Sequence, residues 1–155
     1  MTSVIEYYSD TIITKSRGFL AYLTFGNWGR VCTLKLSQRT LEVRTLRPWN
    51  TTTELYGLSQ FDAVDYSYRT LASATQNGVH YEHDEFTVGL RFSSTGKVLP
   101  VAVFHGGTST PVGLGALIAS LLPPSWQEGS GGTQDIESRS LANMLCQKMS
   151  LELAM

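Results

Sequence analysis

Along residues 84–104 the chain alternates strictly, with Phe86, Val88, Leu90 and Phe92 separated by Thr87, Gly89, Arg91 and Ser93. A period of two places the four large apolar side chains on one face of a strand, which must then have a core to cover. The polar run Ser93-Ser94-Thr95-Gly96-Lys97 supplies a turn, and a second apolar strand over 98–104 completes a hairpin.

The same signal recurs upstream. Phe19, Ala21, Leu23 and Phe25 alternate with Leu20, Tyr22 and Thr24, and Gly26-Asn27-Trp28-Gly29 supplies turn chemistry. A strand over 30–36 carries Cys32, Leu34 and Leu36 on one face and Val31, Thr33 and Lys35 on the other. After Ser37-Gln38-Arg39, a strand over 40–46 turns Leu41 and Val43 inward, so the two runs read as a hairpin. Pro48 ends that strand, because proline donates no ladder hydrogen bond. Asn50-Thr51-Thr52 turns the chain into 54–57, and a further strand starts at Phe61 or Ala63 and ends at Tyr68, with Val64, Tyr66 and Tyr68 sharing a side. The small, polar segment 71–82 reads as a long loop containing Asn77-Gly78, and residues 1–17 as a lead-in strand or a loosely held arm. About seven strands at this spacing predict an antiparallel sandwich or barrel.

Beyond Phe104 the period changes. His105-Gly106-Gly107 reads as a break, and Thr110-Pro111 as a helix start, with threonine as N-cap and proline at the first helical position. A helix is predicted near 111–122, stopped by Pro123-Pro124, followed by a flexible linker over 127–134. Asp135 caps a last helix near 135–153, whose stripe is Leu141, Met144, Leu145, Lys148 and Met149. That stripe packs on its own sheet, or exchanges in a homodimer through the C-terminal helix.

Length and composition narrow the class. The 155 residues, 42% hydrophobic and 16% charged, suit one folded domain spanning 1–155. A net charge of -1 excludes a globally basic nucleic-acid binder, so no nucleic acid is expected. The total hides an asymmetry: residues 11–53 hold Lys15, Arg17, Arg30, Lys35, Arg39, Arg44 and Arg47 against the single acid Glu42. Cys32 and Cys146 lie far apart in apolar patterns and read as buried, reduced thiols. The N-terminal residues show neither a basic start nor an apolar run, so a secretory signal is not expected. Without export, the sequon Asn50-Thr51-Thr52 is a coincidence of sequence. The longest apolar run, 112–122, is about half the ~20 residues that cross a bilayer. A soluble, cytoplasmic protein is the expectation.

Antiparallel strands followed by an amphipathic helix resemble the pleckstrin-homology-like domains, bacterial members in particular. Leu41-Glu42-Val43-Arg44-Thr45, a turn, and then the stretch 55–64 look like a strand, turn and short step common in those domains. The run 86–92, Gly96 in the turn, and Val98-Leu99-Pro100-Val101 are similar to their penultimate hairpin. A related soluble part occurs in the photosystem I assembly protein family, there behind two membrane spans absent here. The resemblance covers roughly residues 18–122 and implies a mainly β, α+β fold: an antiparallel barrel of about seven strands capped by a helix. The second helical segment departs from the pattern and leaves two candidates for the cap.

No catalytic constellation accompanies this fold. His80, His83, Glu82, Asp84 and Glu85, with His105 within reach across a hairpin, are the richest set of polar ligands, but a closed site needs four and no CxxC completes it. A solvated loop explains them, and no metal or cofactor is expected. Gly106-Gly107-Thr108-Ser109-Thr110-Pro111 could hold an anion at a helix start but lacks the Walker lysine. The resemblance gives more weight to Arg30, Lys35, Arg39, Arg44 and Arg47 as an anion or lipid-headgroup surface, since arginine pairs with phosphate oxygens through a planar fork. Trp28, Trp49 and Trp126 are the candidate partner contacts. The leading expectation is a non-catalytic binding or scaffolding module that contacts a protein partner. The competing ones are a ligand carrier or enzyme with a barrel cavity lined by Tyr66, Tyr68 and Phe86, and peripheral contact with anionic membranes through the basic early strands.

Overall fold

The computed structural model describes residues 2–17, 23, 28–76, 79–111 and 132–154. Five strands form one antiparallel sheet in chain order: β1 (Thr2–Tyr7), β2 (Thr11–Arg17), β3 (Gly29–Lys35), β4 (Thr40–Arg47) and β5 (Asn50–Gly57). A 3-10 turn at Leu58–Gln60 leads to β6 (Phe61–Gln76), which pairs with β7 (Val79–Phe92), itself paired with β8 (Val98–Pro111). The helix α1 (Gly132–Met149) follows, and a short β9 (Glu152–Ala154) adds parallel to β6, giving a second sheet in the order β8-β7-β6-β9. The protein is thus mostly β with one described C-terminal helix, and among the described residues neither sheet closes on itself.

Alternation places one core between these layers. Ile12, Cys32, Leu34, Leu41 and Val43 from the first sheet join Val64, Phe86, Val88, Leu90, Ala102 and Phe104 from the second. Leu141, Ala142 and Leu145 close it, with Leu145 one helical turn beyond the other two. Met144 and Met149 pack at the edge of this stripe, whereas Lys148 is exposed and stands outside it. The apolar face of α1 is therefore covered by its own chain, chiefly by β8, β6 and β7. Ser150 takes positive φ after the helix, and Leu151 N–H donates to the Cys146 carbonyl (3.1 Å), a Schellman-type end that turns the chain into β9.

Several sequence expectations need correction. Residues 1–17 form two full strands, β1 and β2; their inner face carries Ser3, Thr14 and Ser16, small polar residues that leave no apolar period to read. The segment 71–82 is no long loop: β6 runs to Gln76 and β7 starts at Val79, with Gln76 paired to Val79. Both faces of this arm are largely solvated, which removes the alternation, but Asn77-Gly78 was the turn signal. Asn50-Thr51-Thr52 lies in β5 and not in a turn, because Pro48-Trp49 alone connects it to β4. β8 continues through Pro111, paired with Val79, so 105–111 is strand where a break and helix start were expected. α1 begins at Gly132 and ends at Met149, inside the expected linker and short of 153. The strand expected over 19–25 and the helix over 112–122 lie outside the described residues; of the former only Leu23 is described, with helical backbone and an exposed side chain.

Candidate functional site

Two of the three candidate tryptophans meet. Trp28 immediately precedes β3, Trp49 sits in the two-residue connection after β4, and the pairing of Gly29 with Leu46 brings those strand ends side by side. Their rings pack edge to face with centroids 5.4 Å apart and planes at 78°, an arrangement the aromatic quadrupoles favour. Trp28 is half-buried, while Trp49 keeps 72% of its surface exposed. Gly29 makes the approach of the strands feasible, since a Cβ there would come within 2.7 Å of the Ser16 carbonyl oxygen. Trp126 lies outside the described residues.

Cations gather at the same end of the sheet. Arg47 is the last residue of β4, Arg17 the last of β2, with its Cγ 3.5 Å from where a Gly29 Cβ would stand. Arg30 turns to the inner face, where its row holds Ser16, Thr45 and Thr52. Its Nε is buried without a hydrogen-bond partner among the described residues. Arg17 and Arg47 are exposed, and neither forms an ion pair among the described residues. Arg17 stood in the basic run of the sequence yet outside the candidate surface; its position at the end of the polar face Lys15, Arg17 was the available signal.

The other basic candidates lie elsewhere. Lys35 and Arg44 share the outer face of the first sheet, with Val31 and Thr33 on the same face of β3. Arg39 occupies the β3–β4 turn with φ 51°, at the opposite end of β4 from Arg47. Seven strand steps separate those ends, roughly 23 Å. The five residues Arg30, Lys35, Arg39, Arg44 and Arg47 thus spread over both faces and both ends of the sheet, and only Arg30 and Arg47 stand near the tryptophans.

The histidines divide as well. His83 and His105 stack with centroids 5.4 Å apart, on the face where Arg69 grips Glu85 (2.7 Å) and His105 Nε2 lies 3.8 Å from the same carboxylate. Burial foremost, aided by the charges of His83 and Arg69 and opposed by Glu85, holds the His105 pKa below its ordinary value. His80 instead pairs with Glu82 at 3.2 Å. Among the described residues no group of three or more His, Cys, Asp or Glu side chains is placed to hold a metal ion. Cys32 is a buried free thiol whose pKa burial pushes up, with Arg30 pulling the other way; Cys146 is a half-buried free thiol.

Of the residues expected to line an internal cavity, Tyr66 and Phe86 pack inward and Tyr68 is exposed. Tyr66 donates to Asp135 Oδ1 of α1 (3.0 Å), Phe86 is buried, and the Tyr68 ring lies 5.2 Å from that of Phe86. Phe61, Phe92 and Tyr56 stack on one another where the two sheets meet. Comparison with known proteins adds no assignment: no family model matches the chain, and no curated protein or solved structure matches it.

Proposed function

We propose that this chain is a non-catalytic binding module of pleckstrin-homology-like organisation, acting through protein contacts at the Trp28–Trp49 end of its five-stranded sheet. The carrying observation is the exposed Trp49 indole, held edge to face on Trp28 beside Arg47. Rigid aromatic surface next to arginine is the composition of interaction hot spots, because it buries large area at small entropic cost. The pleckstrin-homology-like reading draws support from sequential antiparallel strands in two sheets with a terminal helix across them. Support for barrel-like closure comes from the contacts of β1 and β2 with β8.

The test is quantitative affinity purification from the native cell with the wild-type chain and with Trp49→Ala and Arg47→Glu. The expected result is one protein retained by the wild type and lost, by tenfold or more, with Trp49→Ala. A partner retained equally by all three proteins contradicts the reading. A second reading has its own observation, since Arg17 and Arg47 end β2 and β4 at the edge of the sheet that carries the two indoles, as cations accompany interfacial anchors. Sedimentation with anionic vesicles separates it: binding that Arg47→Glu and Arg17→Glu abolish would assign the surface to lipid headgroups.

A further inference from the structure

β5 is an edge strand of eight residues, and its side chains from Asn50 to Leu55 are all exposed, Leu55 to 68%. Edge strands normally carry devices against pairing, such as charged side chains (lysine above all), proline, a bulge or a cover. β5 contains neither lysine nor proline, and its register with β4 runs unbroken from Arg47–Asn50 to Thr40–Gly57. Its single charge is Glu54.

The connection to β4 fixes which backbone groups have no ladder partner among the described residues. Residues flanking a two-residue hairpin loop exchange both main-chain hydrogen bonds, so Asn50, Thr52, Glu54 and Tyr56 direct theirs to β4. The bond from Leu58 N–H to the Arg39 carbonyl (2.9 Å) continues that even-numbered series. The N–H and C=O groups of Thr51, Thr53 and Leu55 therefore point away from the sheet.

We infer that β5 pairs antiparallel with β5 of a second copy of this chain, about a two-fold axis through Thr53. In this register Thr51 opposes Leu55 of the second copy, Thr53 opposes Thr53, and Leu55 opposes Thr51, so the outward groups of all three residues are used. Shifting the axis to Glu54 would set two carboxylates face to face, which opposes pairing. The Thr53 register instead places Glu54 opposite Thr52 of the second copy. It also puts Glu54 on the same face as Arg47 of that copy, about 12 Å away between Cα atoms from strand spacing and rise, a span the two long side chains can bridge. The charges thus favour the register that the hydrogen bonds favour, and the dimer joins two five-stranded sheets into one of ten strands.

Sedimentation equilibrium of the full chain, with cysteine cross-linking in a Cys146→Ser background, tests the inference. The wild type is expected to sediment as a dimer. Thr53→Pro removes an outward N–H without touching the β4 ladder, and is expected to give a monomer with unchanged far-UV circular dichroism. Thr53→Cys is expected to oxidise to a covalent dimer, since Cα atoms of a hydrogen-bonded pair lie about 5.5 Å apart and a disulfide accepts that distance. Leu55→Cys, equally exposed but opposite Thr51, is expected to remain reduced. A monomeric wild type, a dimer that survives Thr53→Pro, or equal cross-linking of both cysteine variants would each overturn it.

Discussion

At His105 burial and charge act on one proton. The ring is largely enclosed, stacked on His83, and within 3.8 Å of Glu85, which Arg69 already engages. Its folded-state pKa lies below the ordinary 6.5, with burial the largest cause. The unfolded chain then binds a proton more readily than the folded one, so stability rises with pH across that window. Stability is full above the ordinary value and is lost as pH falls through it towards the lower folded value. Acidification from about pH 7 to about pH 5 should lower the melting temperature, and His105→Gln should flatten that slope. A wild-type melting temperature unchanged across the range would contradict this account. The sequence named this histidine but could not place it, because stacking on His83 depends on the cross-strand register of β7 and β8.

The elements are joined by a small polar seam. Thr14 Oγ1 of β2 donates to the Val101 carbonyl of β8 (2.6 Å), and the Val103 N–H donates to Ser3 Oγ of β1 (2.8 Å). The register shift between Val88 and Gly89 leaves Val101 as the extra residue on β8, a bulge that re-aims the strand. Thr14→Val keeps shape but removes the donor from a buried carbonyl, and should cost about 1–3 kcal/mol in denaturant unfolding. A loss below about 0.5 kcal/mol would mean that the seam contributes little. Seams like this explain what the sequence hid. The hairpins β3–β4 and β7–β8 were legible because each buries one apolar face, with Cys32, Leu34, Leu41 and Val43 or Phe86, Val88 and Leu90 inside. β1 and β2 were not, because Ser3, Thr14 and Ser16 face inward, and the β6–β7 arm was not, because it buries neither face well.

Across the whole molecule, the two sheets and α1 share one core among the described residues. Phe86, Leu90 and Phe104 fill the described core, and Tyr66 donates to Asp135 Oδ1 of α1. The candidate surface was half legible. Trp28, Trp49, Arg30 and Arg47 could each be named from residue type, but only the pairing of Gly29 with Leu46 and of Arg47 with Asn50 gathers them at one end. The same pairing sends Lys35, Arg39 and Arg44 elsewhere, which no linear count of charge reveals.

We propose that the functional contact is made at this end of the first sheet. Amide hydrogen exchange, run on the free protein and on its complex with the partner recovered from the native cell, tests that claim most directly. New protection is expected at Trp28, Gly29, Arg47, Trp49 and Asn50, with α1 and the β6–β7 arm unchanged. Protection that falls on α1 or the arm and leaves Trp49 exchanging as in the free protein would contradict it.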